Sequence, residues 1–171
     1  KLQFPNIILI ESETNKGFTG GNNLGMDYAL QHGYEYIMML NNDVAVEPNF
    51  LEPLIARLDE NPAIGAVQPL IYFYHDRELI WNAGSRYNDI FGIPYILGYY
   101  RKDKGQLQRK KQKSIDWITG CAFMIRTEVL KKVGVLKQDF FIYYEDVDLS
   151  FRIKNAGYQL DYVPSSVIYH I

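Results

Sequence analysis

The stretch YEYIMMLNNDVAVEPNFLEPLIARLDENPAIGAVQPLIYFY, residues 34–74, decides the fold class of this chain. It begins with the apolar run YEYIMML, which has the length of a buried strand. Pro48 then opens the segment NFLEPLIARLDEN, in which four apolar residues lie at helical spacing: Leu51, Leu54, Ile55 and Leu58. The following run, IGAVQPLIYFY, is a second strand interrupted by Pro69. This order of strand, helix and strand predicts an α/β protein built on a parallel sheet.

The flanking sequence extends the alternation on both sides. Upstream, NIILIE (residues 6–11) has the length of a buried strand, and NLGMDYALQHG (residues 23–33) has helical spacing that stops at Gly33. Residues 75–113 contain short aromatic pieces separated by glycines, which predict hairpins and loops over one end of the sheet. The rest of the chain predicts, in order, a strand at 114–126, a helix at 127–134 capped by Thr127, a helix at 147–157, and strands at 158–164 and 166–171.

Composition narrows the class of protein. A chain of 171 residues is expected to form a single domain, residues 1–171. Its 18 Lys+Arg and 20 Asp+Glu give a net charge of −2, which argues against a dedicated nucleic-acid binder. The single cysteine excludes an intrachain disulfide, and no apolar run reaches the roughly 18–20 residues that span a bilayer. We therefore expect a globular protein of the cytoplasm.

The polar end of the first strand in this stretch is the first candidate site. The sequence LNND places Asn42 and Asp43 at the carboxyl end of a strand, where open α/β sheets bind their ligands. Asp43 offers a carboxylate to a divalent cation, which prefers oxygen ligands. His170, which also ends a strand, is a second candidate metal ligand. A plain turn at 41–43 and a structural histidine are the open alternatives.

A glycine- and asparagine-rich loop is the second candidate site. The segment SETNKGFTGGNN (residues 12–23) lies between a predicted strand and a predicted helix. It fits neither the P-loop spacing nor the dinucleotide GxGxxG motif. A backbone rich in glycine nevertheless suits close approach of a phosphate or nucleotide, and a tight packing turn is the alternative. The candidate nucleotide-binding residues of this segment are Asn15, Gly17, Gly20, Gly21, Asn22 and Asn23.

An acidic segment that follows an aromatic run is the third candidate site. In FFIYYEDVDLSFR (residues 140–152), apolar residues precede Glu145, Asp146 and Asp148. A carboxylate held in a partly desolvated wall suits general-base work on a hydroxyl, whereas acids at a helix N-terminus are the structural alternative. On a strand or extended turn the adjacent Glu145 and Asp146 would point apart. Asp148 is expected to stabilise the helix start or to pair with Arg152.

These elements, taken in order, resemble glycosyltransferase family 2, and most of all its bacterial rhamnosyltransferase-like branch. The resemblance covers nearly the whole chain and is specific as an ordered set. It is carried by NKGFTGGNNLG, LNNDVAVEPNFL, WNAG, DWITGCAFMIR, FFIYYEDVDLSFRIKNAGY and VPSSVIYH. NND then corresponds to the metal-binding D-x-D motif of the family, with Asn41 in place of the first aspartate.

The resemblance implies a GT-A-like fold, a mixed α/β sheet flanked by helices. The family's domain begins with a further strand, helix and strand that hold the nucleotide base. None of these precedes Lys1, so we expect the later three-quarters of the domain. Without that first unit, residues 1–171 alone are expected to be inactive, to bind nucleotide sugar weakly and to self-associate through an exposed sheet edge.

The implied reaction transfers a sugar, with inversion, from a nucleotide diphosphate donor to a saccharide or lipid-linked saccharide acceptor in cell-surface polysaccharide synthesis. Asp43, with His170, would hold Mg²⁺ or Mn²⁺ across the donor diphosphate. Asp146 would act as the base, with Glu145 positioning it or substituting for it. The remaining substrate contacts implied are Trp117, stacked on a sugar ring or simply in the core, and Thr119 and Gly120 beside the donor sugar.

Other readings of the sequence stay open. A non-catalytic fragment or degenerate sugar-nucleotide-binding module is one alternative, and a metal-dependent nucleotidyltransferase is another, although the late ED segment speaks against the latter. The basic run RKDKGQLQRKKQK, from Arg101 to Lys113, is either a solvated loop or a patch for an anionic lipid diphosphate or the cytoplasmic leaflet. Peripheral contact with the inner face of the membrane is the corresponding prediction.

Overall fold

A computed structural model describes residues 4–105, 107 and 113–171. Four helices run from Gly17–His32 (α1), Leu51–Glu60 (α2), Thr127–Val133 (α3) and Glu145–Asn155 (α4). The strands are Tyr36–Leu40 (β1), Val44–Val46 (β2), Ile64–Phe73 (β3), Ile80–Asn82 (β4), Ser85–Asn88 (β5), Ile93–Ile96 (β6), Lys113–Ser114 (β7), Ala122–Arg126 (β8) and Gln159–His170 (β9). Each helix in these ranges lacks the length or apolar character that a membrane crossing requires.

The main sheet is mixed, as the family resemblance implied. Its strands follow the order β1-β8-β3-β9-β2, with β4 added to β3 and β7 added to β9. The long strands β3 and β9 are parallel, whereas the other pairings among the described residues are antiparallel. The parallel sheet expected from the alternation of strands and helices is therefore reduced to one central pair. Strands β5 and β6 form a separate hairpin, which confirms the hairpin prediction for this region.

Helices cover both faces of the sheet. On one face, Leu54 and Leu58 of α2 pack with Val67 and Met124. On the other face, α1, α3 and α4 contribute to a larger core that includes Phe123. Because successive residues of a strand point to opposite faces, Phe123 and Met124 belong to different layers. The apolar stripe predicted for α2 is thus confirmed in its buried half, Leu54 and Leu58.

Three sequence predictions are corrected by the structure. Residues 6–11 form no strand, because their isoleucines and leucine stay exposed and pair with no described strand. Helix α1 begins at Gly17 and not at residue 23, so most of the predicted glycine loop is helical. The two predicted terminal strands are one strand, β9, whose pairing with β3 shifts register between Pro69 and Leu70. The shift accommodates Pro69, because proline has no N–H to donate to the hydrogen bonds between strands.

Two helix starts also differ from the sequence predictions. The N-cap position of α3 is Arg126, and the buried hydroxyl of Thr127 has no partner among the described residues, so Thr127 is not the predicted cap. Helix α4 begins at Glu145 and not at residue 147. The predicted strand or extended turn at Glu145 and Asp146 is therefore the first turn of a helix. Residues 106 and 108–112 of the basic run lie outside the described residues.

We expect Leu54→Ala to lower the free energy of unfolding by about 2–5 kcal/mol, because Leu54 is fully buried between α2 and the sheet. Ile55→Ala is the matched control on the same helix, since Ile55 is 36% exposed. Its loss should be clearly smaller. Urea denaturation followed by circular dichroism measures both values. Equal losses for the two variants would contradict the layer arrangement.

Candidate active site

A cavity of about 680 Å³ opens at one end of the sheet. Its walls come from chain segments that are far apart in sequence: the end of β1, the end of β9, the turn before β8, the hairpin and the start of α4. Aromatic and apolar side chains that are not candidate site residues also contribute to the wall, among them Phe18, Trp81, Pro94 and Ile96. The cavity therefore joins the strand ends to the acidic helix start.

The structure brings together half of the candidate site residues. Seven of them line this cavity: Asp43, Trp117, Thr119, Gly120, Glu145, Asp146 and His170. The others are not among its lining residues: Asn15, Gly17, Gly20, Gly21, Asn22, Asn23 and Asn42. From the glycine-rich segment, Phe18 reaches the cavity wall instead. Donor binding by the glycine and asparagine residues stays a prediction.

Asp43 and His170 meet because β2 pairs with the end of β9. Val44 lies opposite His170 in the antiparallel register, and the Ile171 N–H donates to the Asp43 carbonyl at 2.9 Å. The His170 Nε2 atom lies 3.8 Å from Asp43 Oδ2. The Trp81 ring stacks parallel on the imidazole, with ring centroids 4.6 Å apart. Trp81 thus fixes the plane in which His170 faces Asp43.

The donor set at Asp43 and His170 fits a cation that is completed by a substrate. Within the described ranges, no cluster of three or more His, Cys, Asp or Glu side chains is arranged to hold a metal. One carboxylate with one imidazole leaves several coordination positions for phosphate oxygens and water. Mg²⁺ in nucleotide enzymes is bound in this way, through one or two carboxylates and the substrate phosphates. The carboxylate of Asp43 is also a suitable ligand for Mn²⁺.

Asp146 is anchored by backbone N–H groups from two segments of the chain. Its Oδ2 atom accepts a hydrogen bond from the Gly120 N–H at 2.7 Å, and its Oδ1 accepts one from the Val147 N–H at 2.8 Å. A Cβ at position 120 would lie 3.4 Å from Asp146 Oδ2 and 3.4 Å from Glu145 Oε1. The backbone of Gly120 therefore lies directly against both carboxyl groups. The predicted close approach of Gly120 to the donor sugar stays a prediction.

The two carboxyl groups at the start of α4 are held in a dry environment. Burial raises the pKa of Asp146 and outweighs the opposing effect of the N–H donors from Gly120 and Val147. Burial also raises the pKa of Glu145, and the charge of Asp146 raises it further. Glu145 is only 4% exposed, and its Oε2 has no hydrogen-bond partner among the described residues. Carboxylates in such surroundings accept protons more readily than carboxylates in water.

An unusual backbone aims these acids into the cavity. Tyr143 and Tyr144, directly before α4, have φ of 72° and 68°. Non-glycine residues rarely adopt this left-handed conformation, and two in succession are costly. Both tyrosine side chains are exposed and line the cavity. The reversal they produce turns the chain abruptly into the first turn of α4.

Asp148 has the structural role that the sequence predicted. Its carboxylate pairs with Arg152 Nε at 2.7 Å, the expected i,i+4 contact, and with Lys137 Nζ at 2.8 Å. Burial alone would raise the pKa of Asp148, but the hydrogen bonds from Lys137 and Arg152 hold it below its ordinary value. Asp148 does not line the cavity. It ties the start of α4 to the preceding loop.

Hydrogen bonds to neighbouring residues fix Trp117 and Thr119. Trp117 is mostly buried, and its Nε1 donates to the Arg86 carbonyl at 2.8 Å, which ties the indole to the hairpin. The Thr119 N–H donates to Gln68 Oε1 at 3.1 Å. Cys121 also lines the cavity, but burial, with a smaller contribution from the Asp43 charge, raises the pKa of its thiol to about 12. The thiol stays protonated at neutral pH.

Sequence reasoning missed three parts of the cavity wall. Phe18, Trp81 and the hairpin residues Pro94 and Ile96 were not candidate site residues, although Trp81 lies in the WNAG segment that carried the family resemblance. Trp81 had a usable signal, an aromatic residue inside a family motif. The sequence predicted hairpins over one end of the sheet, but no local pattern marks Pro94 and Ile96 as the hairpin residues that reach the cavity.

Comparison with known proteins supplies independent findings. The model of the family "Glycosyl transferase family 2" matches residues 1–134, which is most of the chain and ends before α4. An N-acetylglucosaminyl-diphospho-decaprenol L-rhamnosyltransferase of Mycobacterium tuberculosis is 23% identical over 189 residues, covering 98% of this chain and 60% of that protein. The low-salt glycan biosynthesis hexosyltransferase Agl10 of Haloferax volcanii is 26% identical over 155 residues, covering 86% of this chain and 46% of that protein. The chain thus spans about half the length of these curated relatives.

A solved structure shows the same fold. The crystal structure of GalNAc-T7 with UDP, GalNAc and Mn²⁺ superposes with a TM-score of 0.73 at 21% identity, covering 95% of this chain and 32% of that one. At this identity the likeness establishes the fold alone. The GT-A-like mixed sheet flanked by helices is therefore confirmed.

We expect Asp148→Asn to lower the free energy of unfolding at pH 7 by about 1–2 kcal/mol, because two charge-assisted contacts are lost. The pKa of Asp148 is lowered in the folded protein, so its contribution is full above the unfolded pKa of about 4 and disappears as the pH falls through the folded pKa. The difference from the parent protein should therefore shrink on acidification below about pH 4. Urea denaturation across this range measures it.

Asp139→Asn is the matched control, since Asp139 is an exposed acid in the same loop. Its effect on unfolding should be close to zero at each pH. A difference between Asp148→Asn and the parent that does not change with pH would contradict the ion-pair account.

Proposed function

The chain belongs to glycosyl transferase family 2 and is similar to rhamnosyltransferases of that family, and we propose that the protein transfers a sugar from a nucleotide diphosphate donor to a hydroxyl acceptor in glycan biosynthesis. The observation that supports this most is the shared cavity of Asp43, His170, Glu145 and Asp146. One wall of the cavity has ligands suited to a diphosphate-bound cation. The other wall has desolvated carboxyl groups suited to take a proton from an acceptor.

Asp146 is the base in this proposal. Its carboxylate takes the proton of the acceptor hydroxyl while the acceptor oxygen attacks the anomeric carbon of the donor. The bond from that carbon to the diphosphate breaks, and attack from the side opposite the leaving group inverts the anomeric centre. Glu145, which lies beside Asp146 and has one oxygen without a hydrogen-bond partner among the described residues, positions Asp146 or substitutes for it as the base. Trp117, Thr119 and Gly120 line the space for the sugar.

Asp43 and His170 are the proposed ligands of a divalent cation, Mg²⁺ or Mn²⁺. Such a cation, when bound with the donor, neutralises the charge that develops on the leaving diphosphate. Asp43 is suited to this role because its side chain is about half exposed and open to water and phosphate oxygens. The stacked Trp81 keeps the His170 ring from rotating away.

The proposed acceptor is a saccharide linked to a lipid. The Mycobacterium tuberculosis relative is named for an acceptor with a diphospho-decaprenol group. In this chain Pro94 and Ile96 of the hairpin line the cavity, whereas Ile90 and Phe91 at the hairpin tip are among its most exposed apolar residues. The hairpin thus leads from the cavity to an apolar tip that is suited to a lipid tail or to peripheral contact with a bilayer.

A transfer assay with the full-length protein tests this function. The donors are a panel of nucleotide diphosphate sugars that includes a rhamnose donor, and the acceptor is a polyprenyl-diphosphate N-acetylglucosamine with Mn²⁺ or Mg²⁺. We expect sugar transfer that requires the cation, with an inverted anomeric configuration by NMR. Binding of nucleotide sugars without any turnover would contradict the proposal and favour the alternative of a non-catalytic sugar-nucleotide-binding module.

Asp43→Ala should abolish cation-dependent donor binding while the fold stays intact, because Asp43 is the carboxylate at the strand end. Calorimetry of nucleoside diphosphate binding with and without Mn²⁺ measures the effect. Asp27→Ala, which removes an exposed acid of α1, is the control and should bind as the parent does. Unchanged affinity of Asp43→Ala in the presence of Mn²⁺ would contradict the assignment. If His170→Ala retains the cation requirement, the role of His170 is structural only.

Asp146→Asn should lower the transfer rate by about 10²–10⁴-fold, the usual contribution of a general base, with donor affinity close to normal. Glu145→Gln should lower the transfer rate less than Asp146→Asn does.

The raised pKa of Asp146 sets the direction of the pH dependence. Since the base acts when ionised, kcat/KM should fall on acidification already above about pH 4, the ordinary aspartate value.

The Asp146 carboxylate accepts N–H bonds at both of its oxygens, whereas the side-chain amide of Asp146→Asn has one acceptor oxygen, so this variant also loses a structural hydrogen bond. Thermal unfolding of each variant therefore separates a loss of stability from a loss of catalysis. Greater damage from Glu145→Gln than from Asp146→Asn, with donor binding preserved, would show that Glu145 is the base.

A further inference from the structure

The loop that delivers Glu145 and Asp146 has no regular secondary structure of its own. This α3–α4 loop, residues 134–144, ends in the left-handed pair Tyr143 and Tyr144. Several of its large side chains, including Ile142 and Tyr143, are exposed. A loop with a strained end and few buried side chains needs support from other elements to keep one conformation.

Helix α1 is hydrogen-bonded to this loop at Leu136 through one buried asparagine, Asn23. The Asn23 side chain donates from Nδ2 to the Leu136 carbonyl at 2.7 Å and accepts at Oδ1 from the Leu136 N–H at 3.0 Å. Both residues are almost fully buried. Because both polar groups of the amide are used in this pair, Asn23 satisfies the backbone of Leu136 completely.

Helix α1 grips the loop a second time, one turn closer to its own N-terminus. The Thr19 hydroxyl donates to the Phe140 carbonyl, and the Thr19 N–H donates to the Phe141 carbonyl at 3.4 Å. Thr19 is fully buried. At Gly17, whose φ is +69°, a Cβ would lie 2.6 Å from the Phe141 oxygen and ring. The loop passes so close to α1 that only glycine fits at position 17.

The contacts from α1 are not duplicated by α4. Arg152 of α4 donates to the carbonyls of Val133, Gly134 and Val135, and Asp148 pairs with Lys137. These contacts hold the first half of the loop. Among the described residues, the hydrogen bonds that join residues 138–143 to another element come from Thr19. The second half of the loop, which leads directly to the acids, therefore depends on α1.

We propose that the first two turns of α1 are a clamp that positions Glu145 and Asp146, with Thr19 and Asn23 as its positioning residues. Thr19 and Asn23 are four residues apart and so lie on one face of the helix, toward the loop. The catalytic role of the two acids that the clamp positions rests on the proposed transfer function. It differs from the donor-binding role predicted for Asn23, because the Asn23 side chain is already occupied by Leu136.

Hydrogen–deuterium exchange and steady-state kinetics of the full-length protein test the clamp with four variants. Thr19→Val keeps the shape and removes the hydroxyl, Thr19→Ser restores a hydroxyl, and Asn23→Ala removes the second contact. Gly25→Ala is the control on the same helix, since Gly25 is exposed and a Cβ there meets nothing within 4 Å.

Thr19→Val should accelerate amide exchange in residues 138–147 by about tenfold relative to the rest of the chain, the size expected from loss of one buried hydrogen bond. Its kcat should fall by about tenfold while the donor KM stays within about twofold, because a displaced base slows chemistry but leaves donor binding intact. Thr19→Ser should restore both values, Asn23→Ala should act in the same direction as Thr19→Val, and Gly25→Ala should match the parent.

Unchanged exchange in residues 138–147 of Thr19→Val, or a uniform rise across the whole chain, would overturn the clamp. A raised donor KM with unchanged kcat would also overturn it and would favour donor binding by this segment. If Asn23→Ala does not fold, Thr19→Val and Thr19→Ser still decide the question. Absence of transfer by the parent protein would refute the proposed function, whereas the exchange measurement would still test the clamp by itself.

Discussion

The parallel pairing of β3 with β9 is the constraint on which the rest of the cavity depends. β9 carries His170 and pairs at its end with β2, which brings Asp43 to the same place. On its other side β3 pairs with β8, and the turn before β8 holds Gly120. A one-residue slip in a strand register exchanges the two faces of the strand. The central strands β3 and β9, through the strands paired on either side of them, therefore position Asp43, His170 and Gly120 around one cavity.

The two walls offer different environments. Asp43 is about half exposed, whereas Glu145 is almost completely buried beside Asp146. A partly hydrated carboxylate suits a cation that keeps water and phosphate ligands, and a desolvated pair of acids suits proton transfer. The proposed transfer depends on this difference between a hydrated carboxylate on one wall of the cavity and desolvated carboxyl groups on the other. The backbone N–H of Gly120, in the turn that leads into β8, holds the carboxylate of Asp146 at the start of α4.

Parts of this arrangement could be predicted from the sequence. The apolar stripe of α2 and the Asp148–Arg152 pair depend on local spacing, and seven site residues met because strand ends and helix starts gather at one edge of the sheet. The start of α1 could not be predicted, since its glycines favour a loop while Thr19 and Asn23 are held in a helix by contacts to residues far along the chain. The start of α4 was hidden for a similar reason, because no local pattern indicates left-handed tyrosines. The apolar run at residues 6–11 satisfied the strand pattern without a strand to pair with among the described residues.

The central claim is that this cavity holds the donor and the cation on one wall and the base on the other. A crystal structure of the full-length protein soaked with a nucleoside diphosphate and Mn²⁺ tests this claim most directly. Anomalous scattering would locate the cation. The account predicts a single Mn²⁺ directly coordinated by a carboxylate oxygen of Asp43, with the diphosphate inside the cavity and its far end facing Asp146. A nucleoside diphosphate bound outside this cavity, or a Mn²⁺ that does not contact Asp43, would contradict it.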